Sequence, residues 1–176
     1  MKMAQNSLIP EEVVTVVQTL ERGGFEAYLV GGCVRDLLLG RAPKDWDITT
    51  NAKPEDVQSL FPKTVYENTF GTVAVIFEHT DIPSLRSIEV TPYRLESTYS
   101  DRRHPDQVKF STDIKDDLKR RVFTINAIAA TLSGTAIKDI VDLFGGMSDL
   151  KDKKLKTVGN ADDRFNEDAL RMMRAI

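Results

Sequence analysis

Asp45 and Asp47 flank Trp46 in the run Asp45-Trp46-Asp47-Ile48. On an extended strand, residues two apart project from one face, so both carboxylates would point the same way and the indole the other. Two carboxylates held side by side repel each other unless a cation lies between them. Mg²⁺ takes oxygen ligands, commonly one or two carboxylates together with substrate phosphates. The residues just upstream supply a complement. Ala27 to Val30 is a short apolar strand that stops at Gly31-Gly32, and a helix is expected to open there, with Leu37, Leu38 and Leu39 on its buried side and Gly40 as its stop. Glycines let backbone N–H groups approach a ligand closely and accept positive φ. A helix start adds partial positive charge, and Arg35 in its first turn brings a planar fork of donors suited to phosphate oxygens. Asp36 either orients Arg35 or caps the helix. A phosphate cradle beside a paired-carboxylate metal site is an apparatus for moving a nucleotidyl or phosphoryl group. Singly, a diglycine is an ordinary turn and D-x-D an ordinary solvated loop; the order and spacing of the two carry the chemistry.

The surrounding elements must hold these residues in place. Pro10 to Arg22 reads as an amphipathic helix with Val13, Val16, Val17 and Leu20 on one side, ended by Gly23-Gly24. Pro54 opens another, with Val57, Leu60 and Phe61 as its apolar face. Thr72 to Glu78 is β-branched and apolar enough for a central strand. Ser87 to Arg94 reads as a further strand, with Ile88 and Val90 on one face and Glu89 and Thr91 on the other. Glu96 to Gln107 lacks apolar periodicity and reads as a mobile loop. Asp113 to Ala130 has the spacing of a helix, through Ile114, Leu118, Val122, Ile125 and Ile128. Thr135 to Asp142 reads as a strand and Met147 to Lys151 as a helix.

Bulk properties narrow the function class. At 176 residues the chain is one domain by length, with enough apolar content for a sizeable core. It has no run of eighteen apolar residues and no apolar stretch of a secretory signal at its start, which predicts no membrane association. The single cysteine, Cys33, makes no internal disulfide and fits a cytoplasmic location, as a small buried filler rather than a catalytic thiol. A net charge of −3 argues against a small module that binds nucleic acid by charge alone. Arg102-Arg103, Lys119-Arg120-Arg121 and Lys151 to Lys156 are local basic clusters, and His79 and His104 read as surface residues.

G-G-C-V-R-D followed by D-W-D resembles the signature of the nucleotidyltransferase family that contains bacterial-type (class II) CCA-adding tRNA nucleotidyltransferases and bacterial poly(A) polymerases. The resemblance implies an α/β nucleotidyltransferase fold, a small mixed β-sheet flanked by helices. It divides the chain into a catalytic head over 1–150 and the start of a helical, base-reading neck over 151–176, which family members continue into further helical domains that hold tRNA. It makes Asp45 and Asp47 the ligands of two Mg²⁺ ions, with Glu89, in E-V-T-x-x-R, supporting them from a neighbouring strand. It assigns Gly31, Gly32 and Arg35 to the triphosphate. L-K-R-R-V-F-T-I-N-A matches the family's R-R-D-x-T-x-N-A motif at Arg120, Arg121, Thr124 and Asn126, implying nucleotide contacts from Arg120, Arg121 and Asn126. The motif's acidic position is Val122 here, and valine cannot accept a hydrogen bond from a ribose hydroxyl. Asp142-Leu143-Phe144-Gly145-Gly146 matches the D-x-x-G-G segment, either a springy connector or a plain turn.

Arg164 to Arg171 resembles the family's E-D-x-x-R motif. On a helix Asp168 and Arg171 would share a face, and an acceptor beside a forked donor can pair with the edge of C or A. The plainer alternative is a Glu167–Arg171 ion pair. The implied activity is addition of C and A, from CTP and ATP, to the 3′ end of tRNA. The alternatives are a poly(A) polymerase, a CC- or A-adding specialist, or a fragment that binds NTP without useful turnover and holds tRNA weakly.

Overall fold

The computed structural model describes residues 9–67, 70–96 and 108–175. Helix α1 (Glu11–Arg22) buries Val13, Val16, Val17 and Leu20, the stripe that its 3–4 spacing dictates. Strand β1 (Ala27–Val30) runs into α2 (Gly32–Leu38), then β2 (Asp47–Thr50), α3 (Pro54–Leu60), β3 (Thr64–Tyr66) and β4 (Val73–Ile76). After a single 3-10 turn come β5 (Ser87–Pro92), β6 (Arg94–Glu96), β7 (Val108–Phe110) and α4 (Ile114–Lys119). A 3-10 turn at Thr124–Asn126 leads to β8 (Ile128–Ser133), β9 (Ala136–Asp142), α5 (Gly146–Lys151) and α6 (Ala161–Glu167), and a 3-10 segment at Ala169–Ala175 follows.

Seven strands form one mixed sheet in the order β3-β4-β5-β2-β1-β8-β9, with β6 and β7 a separate two-stranded ribbon. β2 is the middle strand, parallel to β5 and antiparallel to β1. Its register sets Asp47 opposite Glu89 and Ile48 opposite Val90. Because side chains alternate across a strand, Ile48, Ile88 and Val90 turn into the core while Asp47 and Glu89 turn to the other face. Leu29, Trp46, Val73 and Val75 join that core beneath α1 and α3.

Several expectations change. β4 is second from the sheet edge, not central, because the short strand β3 covers it. In α2 it is Cys33 and Val34 that are buried. Leu37 and Leu38 pack only partly and Leu39 is exposed, since so short a helix shows the core little more than its first turn. The helix expected over 113–130 stops at Lys119. Asp113 caps its start, the side chain accepting from the Lys115 amide at 2.9 Å. Beyond it the backbone is claimed by tertiary pairing: Phe123 bridges Thr157, and Ile128 onward becomes β8 between β1 and β9. β-branched Val122, Thr124, Ile125 and Ile128 follow that pairing at little cost. Glu96 closes β6, and the rest of the expected loop, 97–107, lies outside the described residues, as do the Arg102-Arg103 cluster and His104.

Candidate nucleotide and metal site

In the turn between β1 and α2 the backbone requires glycine at Gly31, whereas a Cβ at Gly32 would make only ordinary contacts. Gly31 has φ +80°, a conformation that L side chains rarely adopt. A Cβ on Gly31 would stand 3.0 Å from Nη1 of Arg121 and 3.7 Å from Oδ2 of Asp47. One on Gly32 would stand 3.7 Å from Nη2 of Arg35 and 4.0 Å from Oδ1 of Asp45. Two acids and two arginines thus converge on one diglycine turn. Arg35 is clamped from both sides: Nε and Nη2 reach Asp36 Oδ1 at 2.9 and 2.8 Å, and Nη1 donates to Asn126 Oδ1 at 2.9 Å. Asp36 therefore orients Arg35, and Asn126 holds the same guanidinium.

Asp47 opens β2, half-buried, while Asp45 sits in the exposed bend before it rather than on the strand. The expected alternation still holds, because Trp46 between them is buried. Burial raises the Asp47 carboxyl above the usual carboxylate range; Arg121 opposes that shift and Asp45 adds to it. Glu89 is pushed up to about 6, first by burial and then by Asp47, Glu67 and Asp45. Glu89 is exposed to solvent, and it stands in a group of acids with Asp47, Glu67 and Asp45. Glu67, just after β3, gave no sequence signal; only the pairing of β3 with β4 and of β4 with β5 brings it near Glu89. Among the described residues no group of three or more His, Cys, Asp or Glu side chains is assembled to hold a metal. The acids that face the diglycine turn are Asp45 and Asp47, with Glu89 opposite Asp47 on β5. The raised carboxyls owe most to burial and then to one another; by donor chemistry, a divalent cation completed by substrate oxygens fits such a pair. Cys33 lies beneath, its thiol donating to the Val30 carbonyl at 3.3 Å and pushed up to about 11 by burial, which makes it an inert filler.

The arginine pair is set by a residue that sequence reading passed over. Asp117, fully buried, accepts from Nε and Nη2 of Arg120 at 2.9 and 2.6 Å on one oxygen, and from Nε and Nη2 of Arg121 at 3.3 and 3.0 Å on the other. Burial alone would raise the Asp117 carboxyl, but the two guanidiniums outweigh it and hold it below the usual range. Its i, i+3 and i, i+4 spacing to two arginines was the available signal. Val122, next in the chain, is half-buried, and its carbonyl accepts from the Val158 amide at 2.8 Å. The Thr124 amide donates to the Lys156 carbonyl at 2.9 Å.

Asp168 and Arg171 are brought to each other but not on one helix. α6 ends at Glu167, and Asp168 is extended at φ −149°, ψ 112°. Arg171 pairs with the Glu167 carboxylate and with the Arg164 carbonyl at 3.2 Å, and its Nε lies 4.0 Å from Asp168 Oδ2. Asp168 Oδ1 accepts from the Leu170 amide at 2.9 Å. The D-x-x-G-G segment is a capped, packed turn. Asp142 accepts from the amides of Gly146 and Met147 at 2.8 and 2.9 Å, and Thr124 donates to Asp149 at 2.7 Å across the joint between α5 and the 3-10 turn.

The profile of the poly A polymerase head domain matches residues 27–156. The chain is 46% identical over 173 residues to the CCA-adding enzyme of Leuconostoc citreum, covering 97% of this chain and 41% of the relative. It is 51% identical over 166 residues to that of Lactobacillus helveticus, covering 94% and 39%. Among solved structures, the Bacillus stearothermophilus CCA-adding enzyme in complex with CTP superposes with a TM-score of 0.78 at 43% identity, over 94% of this chain and 37% of that one. The chain thus spans about two fifths of the length of the relatives it matches. Among the described residues no helix is long and apolar enough to cross a membrane. The matched span takes in the diglycine turn, both aspartates and the arginine pair, and the chain belongs to the poly A polymerase head-domain family of nucleotidyltransferases.

Proposed function

We propose that this chain is the catalytic head of a template-independent RNA nucleotidyltransferase that adds C and A to the 3′ end of tRNA in the cytoplasm. The observation that carries the reading is the convergence of Asp45, Asp47 and Arg121 on the Gly31-Gly32 turn. Solved relatives described as complexes with CTP, with ATP and with tRNA support nucleotide and tRNA as partners. In the reaction, the RNA 3′-hydroxyl attacks the α-phosphate of CTP or ATP and pyrophosphate leaves. Asp45 and Asp47 would hold two Mg²⁺ ions, which when bound lower the pKa of the attacking hydroxyl and neutralise the leaving oxygens. Gly31 and Gly32 leave room for phosphate oxygens against the backbone, and a side chain at either would fill that space. Asp36 and Asn126 keep the Arg35 guanidinium in one plane, so it meets phosphate without first losing rotamer freedom. Glu89, across the strand pair from Asp47, adds negative charge beside the ions and serves as support. Arg121 brings positive charge to the same diglycine turn, and Arg120 is anchored beside it on Asp117.

Asp168 and Arg171 would read the base, the carboxylate accepting from the exocyclic amine of C or A and the guanidinium donating to a ring nitrogen. Both are buried and already bonded locally, so a base would take over contacts that Glu167 and the backbone now supply. A base without the amine would leave a desolvated carboxylate unpaired, at about 1–3 kcal/mol. Val122 favours a second reading, nucleotide binding without useful turnover, because that position offers a ribose no acceptor.

Incorporation of each labelled NTP into tRNA lacking its CCA end decides between the readings. C and A are expected to be added, and Asp45→Ala or Asp47→Ala should lower incorporation at least about 100-fold, the scale of losing one preorganised charge, with the circular dichroism spectrum unchanged. Near-normal incorporation by either variant overturns the metal assignment. Runs of A alone would mark a poly(A) polymerase. NTP binding without primer extension, restored to extension by Val122→Asp, would establish the second reading.

A further inference from the structure

Asp117 is a carboxylate with no exposure to solvent. Such a group is costly unless it is paired and hydrogen-bonded, and here each oxygen takes one guanidinium through its Nε and Nη2. For Arg121 this fixes more than position. With the Nε–Nη2 edge turned to Asp117, Nη1 is driven to the opposite side. That atom is the one 3.0 Å from where a Gly31 Cβ would lie, on the turn that Asp47 Oδ2 also faces. An ammonium on a flexible stem could not be aimed this way; the planar fork can. We propose that Asp117 is a positioning residue for nucleotide binding: it locks the plane of Arg121 so that the outer edge of the guanidinium is presented at the diglycine turn, to the triphosphate. This rests on the reading of that turn as the triphosphate seat. Asp117 itself touches no substrate and acts through Arg121.

A merely structural pin would behave differently, and a double-mutant cycle on CTP affinity separates the two. Titration calorimetry of CTP with Mg²⁺ would be run on the full chain and on Asp117→Asn, Arg121→Ala and the double variant, with thermal melts confirming the folded fraction. Asp117→Asn is expected to weaken CTP about tenfold or more, the scale of coupling between close charged pairs. In the Arg121→Ala background the same change should cost clearly less, because the route through Arg121 is gone and only the anchor of Arg120 remains. Additive losses, or unchanged affinity in Asp117→Asn, overturn the inference alone. A wild-type chain that does not bind CTP overturns both the inference and the reading beneath it. Should Asp117→Asn fail to fold, Arg121→Lys decides: it keeps the charge beside Asp117 but loses the fork, so CTP should weaken about tenfold, and wild-type affinity would overturn the proposal.

Discussion

Gly31 and Glu89 illustrate two ways in which single residues shape the site. At Gly31 the φ of +80° strains any L side chain, and a Cβ there would press Nη1 of Arg121 at 3.0 Å, so the guanidinium would have to shift. Glu89 is electrostatically uneasy. Its carboxyl, at about 6, binds its proton more tightly than in the unfolded chain, where the ordinary value is 4.5. A carboxyl raised on folding contributes stability that is present below the unfolded value and is lost as pH rises through the folded one. Glu89→Gln removes the charge, so the metal-free variant should melt above the wild type at pH 8, with the difference closing below about pH 4.5. Equal melting temperatures across that range would show that neither burial nor the neighbouring acids strain Glu89. The paired aspartates and the diglycine were readable from sequence because the chemistry lies in residue type at short spacing. Asp117 and Glu67 were not, since burial in one and cross-strand approach in the other arise only when distant segments meet.

At the scale of elements, the segment after Lys119 shows why apolar spacing alone misleads. Ile114, Leu118, Val122, Ile125 and Ile128 satisfy a helical period, yet a sheet slot between β1 and β9 and a bridge from Phe123 to Thr157 take the chain instead. The same holds for Asp168, where the helix breaks because backbone and side-chain bonds at 164–171 close a local network. The joint after β9 yields a sharper test. A Cβ at Gly146 would fall 2.2 Å from the Thr124 carbonyl oxygen, a main-chain atom that cannot rotate away, whereas at Gly145 it meets nothing within 4 Å. Gly146→Ala should therefore destabilise by about 1–3 kcal/mol, the range for forced overpacking. Gly145→Ala bears only its positive φ, about 1 kcal/mol. Chemical denaturation of both variants measures the difference, and equal losses would mean that α5 retreats from the 3-10 turn without resistance.

For the molecule as a whole, the mixed sheet was expected from the family signature, and its central feature, β2 parallel to β5, is what sets Asp47 beside Glu89. The edge strand β3 and the β6–β7 ribbon, three residues each, were too short to stand out in sequence. With a net charge of −3, the proposed contact with RNA must come from local clusters such as the exposed lysines of Lys151 to Lys156, since Arg120 and Arg121 are committed to Asp117. Engagement of two or three phosphates predicts weak binding that falls about ten- to fortyfold between 50 and 200 mM salt. Fluorescence anisotropy with a tRNA acceptor stem measures it, and tight, salt-indifferent binding would contradict it. The strip at 156–158 is stitched to 122–124 by main-chain bonds on both sides of the Phe123–Thr157 bridge. Swivelling of the polypeptide beyond Val158 would therefore drag the residues just after Arg121 with it, so the jaw that would grip phosphate and the stretch that would inspect the base share an axle made of peptide groups, indifferent to which side chains decorate it.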